Sequence, residues 1–307
     1  MSATAPLLLI GRQGQVASAL QRLAPTLLPD RPLVVLGRPD LDLAAPAAEL
    51  EATLAAALAQ HRPALVLNAA AYTAVDRAET EAALAEAING TAVGVLARQC
   101  ADRGLPLFHL STDYVFDGSG SRPWREDDPT GPLGVYGASK LAGEHALRAA
   151  GGPHLLLRVS WVFGQQGANF VRTMLRLAAD RPALRVVDDQ VGGPTSAEAI
   201  ARTWLALAPR ALADPAAFAW GTYHVAGAPA VSWCAFAAEI FRQAVDLGLL
   251  PAAPTLEPIP TAAYPTPARR PANSRLDGSA FSAAFGLPQP DWRDDLHHCL
   301  LAWKSQP

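Results

Sequence analysis

Short apolar runs alternate with longer alanine- and leucine-rich stretches through the first half of the chain. The runs predict five β-strands, over residues 7–10, 33–36, 64–67, 107–110 and 155–159. Their unbroken apolar character is typical of parallel strands that are buried on both faces, and the stretches between them are long enough for helices. The pattern therefore predicts an α/β fold with a doubly wound, Rossmann-like parallel sheet.

The alternation becomes irregular after Phe163. The later pattern predicts a helix near residues 170–179, a short strand near 184–187 and another strand at 222–225. We therefore expect a first domain over residues 1–163 and a second, smaller domain over residues 164–307, with some later segments returning to the first domain. Prolines recur between residues 251 and 271, which predicts an extended loop lying over another part of the protein rather than a core element.

The first predicted strand ends in a glycine-rich turn, Gly11-Arg-Gln-Gly14-Gln15-Val16-Ala17, and a helical pattern follows. Glycines at such a turn let the backbone approach a pyrophosphate, which the free N–H groups and the positive end of the next helix can bind. The spacing departs from G-x-G-x-x-G in its first gap. The turn indicates a dinucleotide site, and a strand-to-helix turn that binds nothing remains the alternative.

Gly37 and Arg38 follow the second predicted strand, about where a dinucleotide fold contacts the adenosine ribose. An acidic residue at this point pairs with the 2′-hydroxyl of NAD, whereas an arginine accommodates the 2′-phosphate of NADP. Arg38 therefore favours NADPH, although a solvated arginine at a strand end explains it equally well. Asp42 and Leu43 come after a short loop and are expected near the adenine.

Tyr136 and Lys140 are four residues apart in a helical stretch, so their side chains share one helix face. A nearby positive charge favours the phenolate and lowers the pKa of a tyrosine from its usual value near ~10. Thr112, at the end of the fourth strand, can hydrogen-bond a substrate carbonyl and orient the phenol. Together the three residues predict an acid–base site at the carboxyl end of the sheet, although the tyrosine and lysine alone also fit an ordinary amphipathic helix.

Bulk properties exclude several classes of function. Of the 307 residues, 50% are apolar and 17% are charged, which is enough for one large core or two smaller ones. The net charge of −3, without a basic run, argues against a nucleic-acid partner. We expect a cytoplasmic protein without a membrane partner, because no apolar stretch could span a bilayer and residues 1–6 do not resemble a signal peptide.

The cysteines and histidines give no sign of a metal site or a disulfide framework. Cys100, Cys234 and Cys299 are far apart, so they are expected to be small buried apolar residues. His297 and His298 are adjacent and lack a third ligand at metal-like spacing.

Five sequence blocks, spread over nearly the whole chain, resemble the dTDP-4-dehydrorhamnose reductases, which are extended short-chain dehydrogenases/reductases. The blocks are Asn68-Ala-Ala-Ala-Tyr-Thr-Ala-Val-Asp76-Arg-Ala-Glu79, Ser111-Thr-Asp-Tyr-Val-Phe-Asp-Gly118, Tyr136-Gly-Ala-Ser-Lys-Leu-Ala-Gly-Glu144, Asp189-Gln-Val-Gly-Gly-Pro-Thr195 and Arg270-Pro-Ala-Asn-Ser-Arg-Leu-Asp277. The resemblance implies NAD(P)H-dependent reduction of dTDP-4-dehydro-6-deoxy-L-mannose to dTDP-L-rhamnose. The first domain would bind the cofactor, NADPH with NADH as the alternative, and the second would bind the dTDP-sugar.

The resemblance also implies a role for each matching residue. Tyr136 would protonate the 4-keto oxygen, Lys140 would lower the pKa of the tyrosine and hold the nicotinamide ribose, and Thr112 would orient the phenol. The other implied cofactor contacts are Gly11, Gly14, Gln15 and Val16 at the pyrophosphate, Asp42 and Leu43 at the adenine, and Ala70, Ala71 and Tyr72 after the third strand. The implied sugar contacts are Asp113, Tyr114 and Trp161, with a core tryptophan as the alternative for Trp161. Arg269, Arg270 and Arg275 would either bind the diphosphate or hold their segment in place.

One departure from the family and two alternative functions remain. Some family members have a magnesium-bridged dimer that uses an acidic residue where this chain has Ala19, so a Mg²⁺-dependent dimer is doubtful while a homodimer is left open. Nucleotide-sugar epimerases and dehydratases share the tyrosine and lysine, but a dehydratase typically carries Asp-Glu where this chain has Asp113-Tyr114. A non-catalytic, cofactor-binding regulatory subunit, as in methionine adenosyltransferase, is opposed by the intact Thr112, Tyr136 and Lys140.

Overall fold

The computed structural model describes residues 4–305. Its strands are β1 (Leu7–Ile10), β2 (Leu33–Leu36), β3 (Leu65–Asn68), β4 (Leu107–Thr112), β5 (His154–Val159), β6 (Val162–Phe163), β7 (Ala183–Val187), β8 (Val191–Gly192), β9 (Thr195–Ser196), β10 (Gly221–His224), β11 (Val231–Ser232), β12 (Thr255–Ile259) and β13 (Asn273–Ser274). Its α-helices are α1 (Gln15–Leu27), α2 (Ala47–His61), α3 (Val75–Ala78), α4 (Ala82–Glu86), α5 (Ala92–Ala101), α6 (Val135–Ala149), α7 (Phe170–Asp180), α8 (Ala197–Ala213), α9 (Trp233–Asp246), α10 (Ser279–Phe285) and α11 (Trp292–Lys304). A π-helical turn covers Ala87–Thr91, and 3₁₀ turns cover Asp113–Val115 and Thr261–Ala263.

Six parallel strands form the central sheet in the order β10-β5-β4-β3-β1-β2. Successive residues of β1 enter opposite cores: Leu7 and Leu9 pack with α1, α8 and α10, and Leu8 and Ile10 pack with α2 and α5. Both faces of the strand are therefore covered, which explains its unbroken apolar run. The five strands expected in the first half are all present in this sheet, so the predicted doubly wound α/β fold is confirmed.

Elements after Phe163 divide between two cores. Helix α8 packs against α1, and β10 extends the central sheet beside β5. Helix α10 also joins the core beside the sheet, whereas α7, α9 and α11 surround a separate apolar cluster that includes Phe236, Ile240 and Trp292. The chain therefore leaves the central sheet, contributes to the second cluster and returns to the sheet; the division at residue 163 stays a prediction.

The proline-rich segment is more regular than its sequence indicated. Strand β12 pairs in parallel with β7 over five residues, so the prediction of a loop without regular structure is wrong for residues 255–259. Pro258 is tolerated because β12 has a neighbour on one side only, so a missing N–H is not needed by a second strand. The following residues, 260–270, are mostly exposed.

Two further expectations concern the helices and the cysteines. Among the helices of residues 4–305, none combines the length and the apolar character that crossing a bilayer requires. Cys100, Cys234 and Cys299 are buried free thiols, as predicted.

Candidate active site

The glycine-rich turn between β1 and α1 has a geometry that only glycine allows. Gly11 has φ of +121°, and a Cβ on it would lie 3.3 Å from the backbone nitrogen of Ala70. Gly14 is the N-cap of α1, and no side chain among residues 4–305 accepts a hydrogen bond there. The first turn of α1 also lacks an acidic residue. Its N–H groups and positive dipole end are therefore available to an anion.

Gln15 and Val16 differ in how they could meet a ligand. The Gln15 amide donates to the carbonyl of Val162 at 3.4 Å and accepts from Asn169 at 3.2 Å, so it ties the turn to the loop after β6. The Val16 side chain is buried in the core beside the sheet. Only the backbone of Val16 is placed to contact a pyrophosphate.

Two arginines, rather than one, lie at the carboxyl end of β2. Arg38 is exposed and has no ion-pair partner within the described residues. Arg12, which sequence reasoning missed, crosses Gly37 so closely that a Cβ there would be 3.1 Å from the Arg12 Cγ, and it pairs with Asp40. Either guanidinium could meet a phosphate on the adenosine ribose.

Asp42 and Leu43 lie in the loop that follows. The Asp42 carboxylate accepts the N–H of Ala44 at 2.9 Å, which fixes the turn, and Leu43 is half-buried against the core that contains α2. Both residues lie in the loop after β2, Asp42 exposed and Leu43 partly buried.

The loop after β3 is held by a buried asparagine. Asn89, in the π-helical turn, accepts the N–H of Tyr72 and donates to its carbonyl, both at 2.9 Å. The Asn89 amide also donates to the Ser139 hydroxyl at 3.0 Å, which connects this loop to α6. A π-helical turn is frequent at functional sites. An asparagine within an otherwise apolar helical stretch was the sequence signal that could have revealed this residue, which is 1% exposed in the structure.

Residues 70–72 continue from that loop. The Ala70 N–H donates to Asn68 at 3.2 Å, and the Tyr72 hydroxyl donates to Glu81 at 2.6 Å. The bond to Glu81 raises the pKa of Tyr72. The phenol of Tyr72 is therefore engaged with the protein, which leaves the backbone and the alanine methyl groups of Ala70 and Ala71 to line a ligand.

One acidic residue and two glycines determine how closely helix α6 packs against the site. Glu79 accepts the N–H of Val135 at 2.9 Å at the start of the helix. A Cβ on Gly137 would lie 2.2 Å from the carbonyl oxygen of Tyr114, and one on Gly143 would lie 2.1 Å from that of Asn89. Glycine at these positions allows the helix to approach both backbones closely. The same helix carries Tyr136 and Lys140.

The electrostatics of Tyr136 differ from the expectation. Burial, followed by the negative charge of Asp113, raises the pKa of Tyr136, and the Thr112 hydroxyl acts in the opposite direction. The expected lowering of this pKa by Lys140 is therefore wrong for this structure. The ring of Tyr136 meets that of Tyr114 edge-on, with ring centroids 5.5 Å apart.

Lys140 is enclosed by protein. It is 2% exposed, and its Nζ donates to the carbonyl of Leu110 at 2.7 Å. Burial lowers the pKa of Lys140 to about 8, and the charge of Glu144 opposes this. The chain has one other lysine, Lys304 in the last turn of α11. A buried lysine in a chain whose other basic residues are almost all arginines marks a position that needs an ammonium group.

Thr112 and Asp113 are adjacent polar residues at the end of β4. The Thr112 hydroxyl donates to Asp113 Oδ1 at 3.0 Å and accepts the N–H of Tyr114 at 3.2 Å. Asp113 is 3% exposed, and burial raises its pKa to about 6, against the hydroxyls of Ser274 and Thr112. Its second oxygen, Oδ2, has no hydrogen bond of normal geometry within residues 4–305. A buried oxygen without a partner is a ready acceptor for a ligand hydroxyl.

Tyr114 is held by an arginine from the far end of the chain. Arg270 donates to Asp76 at 2.6 Å and to the Tyr114 hydroxyl at 3.4 Å. The N–H of Ala268 also donates to Asp76, at 3.2 Å. Burial raises the pKa of Tyr114 to about 12, so its hydroxyl stays protonated. Sequence reasoning left open whether Arg270 binds a ligand or holds its segment; in the structure its guanidinium connects the segment to Asp76 and Tyr114.

Arg269 and Arg275 have different surroundings. Arg275 donates to the side chain of Asn273 at 2.8 Å, beside β13. Arg269 is exposed. Of the three arginines in this segment, Arg270 is the one that touches a candidate site residue.

Trp161 lies two residues beyond β5, whose Val159 pairs with Thr112 of β4. It is half-buried and has φ of +47°, an unusual conformation for a non-glycine residue. Its indole stacks on that of Trp233, with centroids 3.5 Å apart and planes 8° apart. A Cβ on Gly192 would lie 2.6 Å from the Trp161 ring. Trp233 and Gly192 were missed because only the folded chain brings them to Trp161.

The carboxyl ends of β1 and β4 therefore frame one polar site. The predicted acid–base residues Thr112, Tyr136 and Lys140 lie together beside β4, with Asp113 and Tyr114. The uncapped start of α1 lies at the same edge of the sheet, beyond β3. Such an arrangement can bind an anion at one end and donate a proton to a carbonyl oxygen at the other. Within residues 4–305 there is no group of three histidine, cysteine or acidic side chains placed to hold a metal ion.

Comparison with known families gives a consistent result. A family model described as the RmlD substrate binding domain matches residues 5–304. A dTDP-4-dehydrorhamnose reductase of Burkholderia thailandensis is 44% identical over 304 residues, which cover 98% of this chain and 99% of the relative. One from Escherichia coli K12 is 42% identical over 294 residues, or 96% of each chain.

Solved structures agree with these relatives. A dTDP-4-dehydrorhamnose reductase from Clostridium acetobutylicum is similar with a TM-score of 0.87 and 30% identity, over 97% of this chain and 99% of the other. One from Bacillus anthracis, in complex with NADP, has a TM-score of 0.85 and 29% identity over the same shares. A UDP-glucose 4-epimerase from Thermus thermophilus has a TM-score of 0.76 at 18% identity, over 98% of this chain and 100% of the other, which supports the fold alone.

Proposed function

Because the chain belongs to the dTDP-4-dehydrorhamnose reductase family, we propose that it reduces the 4-keto group of dTDP-4-dehydro-6-deoxy-L-mannose to give dTDP-L-rhamnose. The joint placement of Thr112, Tyr136 and Lys140 at the end of β4, on the edge of the sheet where α1 begins uncapped, carries this proposal. The hydride comes from a reduced nicotinamide when one is bound. The chain itself supplies anion binding, orientation and the proton.

The residues of the first half fit a dinucleotide. Gly11 and Gly14 leave room for a pyrophosphate at the start of α1, whose N–H groups face no side-chain acceptor. Ala70 and Ala71 offer a smooth surface after β3. At the end of β2, Arg38 and Arg12 favour the 2′-phosphate of NADPH, although Asp40 neutralises Arg12 and leaves room for NADH.

Tyr136 is the proposed proton donor. Its raised pKa keeps the phenol protonated near neutral pH, so a proton is present to give. Negative charge developing on the sugar oxygen favours transfer, and the Thr112 hydroxyl, which donates to Asp113, can accept from the phenol and so orient it. Lys140 supplies a buried ammonium group on the same helix face, which can hold a ribose hydroxyl.

The sugar is proposed to lie between Asp113, Tyr114 and Trp161. Asp113 Oδ2 is a buried acceptor without a partner among the described residues, Tyr114 lies edge-on to Tyr136, and Trp161 follows the neighbouring strand end. An aromatic face and a hydroxyl acceptor are the groups that a sugar ring requires.

An epimerase or another nucleotide-sugar reductase is the second candidate, because both share the tyrosine and lysine. The test is the absorbance of reduced nicotinamide, followed with purified protein, NADPH or NADH, and dTDP-4-keto-6-deoxy-L-sugar. Sugar-dependent loss of absorbance with formation of dTDP-L-rhamnose is the expected result. Conversion of the sugar without net loss of NADPH would instead identify an epimerase. Cofactor binding without conversion of any 4-keto sugar would point to a regulatory subunit.

A further inference from the structure

A buried ion pair lies one helical turn from Lys140 and takes no part in the proposed proton transfer. Glu144 of α6 is 0% exposed and Arg158 of β5 is 2% exposed. The guanidinium donates twice, from Nε to Oε1 at 2.9 Å and from its terminal nitrogen to Oε2 at 2.7 Å. A bidentate pair of this kind fixes both side chains in place.

Among the described residues, Glu144 is the one acidic side chain that pairs with Arg158. Another terminal nitrogen of Arg158 donates to the backbone carbonyl of Glu126 at 3.2 Å and lies 3.4 Å from His224 Nε2. Burial lowers the pKa of His224 to about 3, so that ring is neutral. The guanidinium also lies 5.0 Å from the ring centroid of Phe116.

The charged groups around Lys140 come from three elements. On α6, Glu144 follows Lys140 by one helical turn, and Arg148 donates to its carboxylate at 3.1 Å. On β4, Leu110 accepts the Nζ proton, and burial holds the pKa of His109 well below its usual value, so His109 is neutral. On β5, Arg158 contacts Glu144. The carboxylate of Glu144 is therefore the negative charge that acts on this ammonium.

Stability alone does not explain the pair. Replacing a buried ion pair by apolar side chains of similar volume is often neutral or stabilising, because desolvation offsets the Coulomb attraction. An apolar pair would join α6 to β5 equally well, but it would leave the neighbouring lysine without a negative charge.

We propose that Glu144 is a positioning residue for Lys140: clamped by Arg158, it fixes the turn of α6 that follows the lysine and presents a carboxylate to the buried ammonium. The inference rests on the proposed function, in which Lys140 acts as a cation. In Glu144→Gln the carboxylate is gone and burial is unopposed, so the pKa of Lys140 falls below its value of about 8. The expected fall is roughly one pH unit or more, given charges one helical turn apart in an intermediate dielectric.

The chain offers a direct measurement, because it contains only two lysines. With ¹³C-labelled lysine, a pH titration followed by NMR gives one Cε signal for Lys140 and one for Lys304, and Lys304→Arg assigns them. We expect the Lys140 midpoint to fall by about one unit or more in Glu144→Gln. Glu239→Gln is the matched control, since Glu239 pairs with Arg242 on α9 away from the site, and its Lys140 midpoint should equal that of the unmodified protein.

A second variant guards against loss of folding. Glu144→Gln leaves Arg158 buried without its partner, whereas Glu144→Gln/Arg158→Met removes both charges. The double variant should still show a lowered Lys140 midpoint, and the alkaline limb of its kcat profile should move to lower pH by the same amount. A folded double variant with an unchanged midpoint and an unchanged limb would overturn the inference. Failure of the unmodified protein to reduce the sugar would refute the proposed function instead, and the NMR titration would still test Glu144.

Discussion

Replacing Gly137 with alanine tests whether the close contact between α6 and Tyr114 sets the position of Tyr136. The added Cβ would lie 2.2 Å from the Tyr114 carbonyl oxygen and 2.9 Å from Pro132 Cβ, whereas ordinary contacts begin at 3.4 Å. The neighbour is backbone, which cannot rotate away. The helix or the Tyr114 turn must therefore move by about 1 Å.

A movement of that size has two measurable effects. Overpacking of this kind costs about 1–3 kcal/mol, and for a protein of this size each kcal/mol lowers Tm by roughly 2–4 °C. A displacement of about 1 Å at a reacting group can cost on the order of 10²-fold in rate. We therefore expect Gly137→Ala to lower Tm by several degrees and kcat by about two orders of magnitude. Its Kd for NADPH should change far less than kcat, because the turn after β1, which is proposed to bind the pyrophosphate, is not involved.

Gly131→Ala is the matched control. It makes the same chemical change a few residues before α6, where the new Cβ would lie 3.5 Å from Asp117 Cβ, an ordinary contact. Calorimetry and steady-state kinetics on both variants separate the two effects. If Gly137→Ala kept both the Tm and the kcat of the unmodified protein, the helix would not depend on this contact, and the account of how Tyr136 is placed would be refuted.

Three further predictions concern the proton donor, the buried carboxyl group and the metal. Tyr136→Phe should lower kcat by roughly 10²–10⁴-fold with nearly unchanged NADPH binding in a fluorescence titration, and near-normal turnover would identify another donor. Because burial raises the pKa of Asp113 from 3.8 to about 6, the native state keeps a proton that the unfolded state loses, and the protein loses stability as pH rises between these values. The stability of Asp113→Asn relative to the unmodified protein should therefore rise across this pH range, by up to about 3 kcal/mol once the pH is above about 6. Urea unfolding at several pH values measures this difference. A difference that does not change with pH would contradict the buried charge. Ala19 is 2% exposed in the core, so EDTA should change neither activity nor the oligomeric state in light scattering, and a loss restored by Mg²⁺ would reveal a metal site elsewhere.

The strands of the central sheet could be predicted from the sequence because each is marked by a short run of neighbouring residues. Strands buried on both faces need apolar residues at every position, and glycines mark the turn where β1 meets α1. The sequence also placed β10 within one residue, since Thr222 and Tyr223 have strand character. The prediction failed at β12, where Pro258 suggested a loop. Proline is tolerated both in loops and in edge strands, so the sequence alone could not distinguish the two.

The sequence predicted only those parts of the site whose residues belong to short, continuous segments of the chain. Thr112, Tyr136 and Lys140 belong to recognisable blocks. The groups that hold them do not: Arg158 meets Glu144 from another strand, Arg270 reaches Asp76 across 194 positions, and Trp233 reaches Trp161 from α9. The pKa of Tyr136 was predicted in the wrong direction for the same reason, since burial and the charge of Asp113 depend on tertiary packing.

Because β10 joins β5 only after the chain has built part of the second cluster, no single cut separates the protein into two working pieces. A fragment that ends at Phe163 would leave β5 as a bare apolar edge and would remove α8, whose buried Trp204 covers the core beside α1. Exposed edges and apolar faces of this kind promote aggregation. During synthesis on the ribosome the sheet therefore stays unfinished until His224 has emerged, and the nascent chain must keep β5 from pairing wrongly while residues 164–220 are still being added.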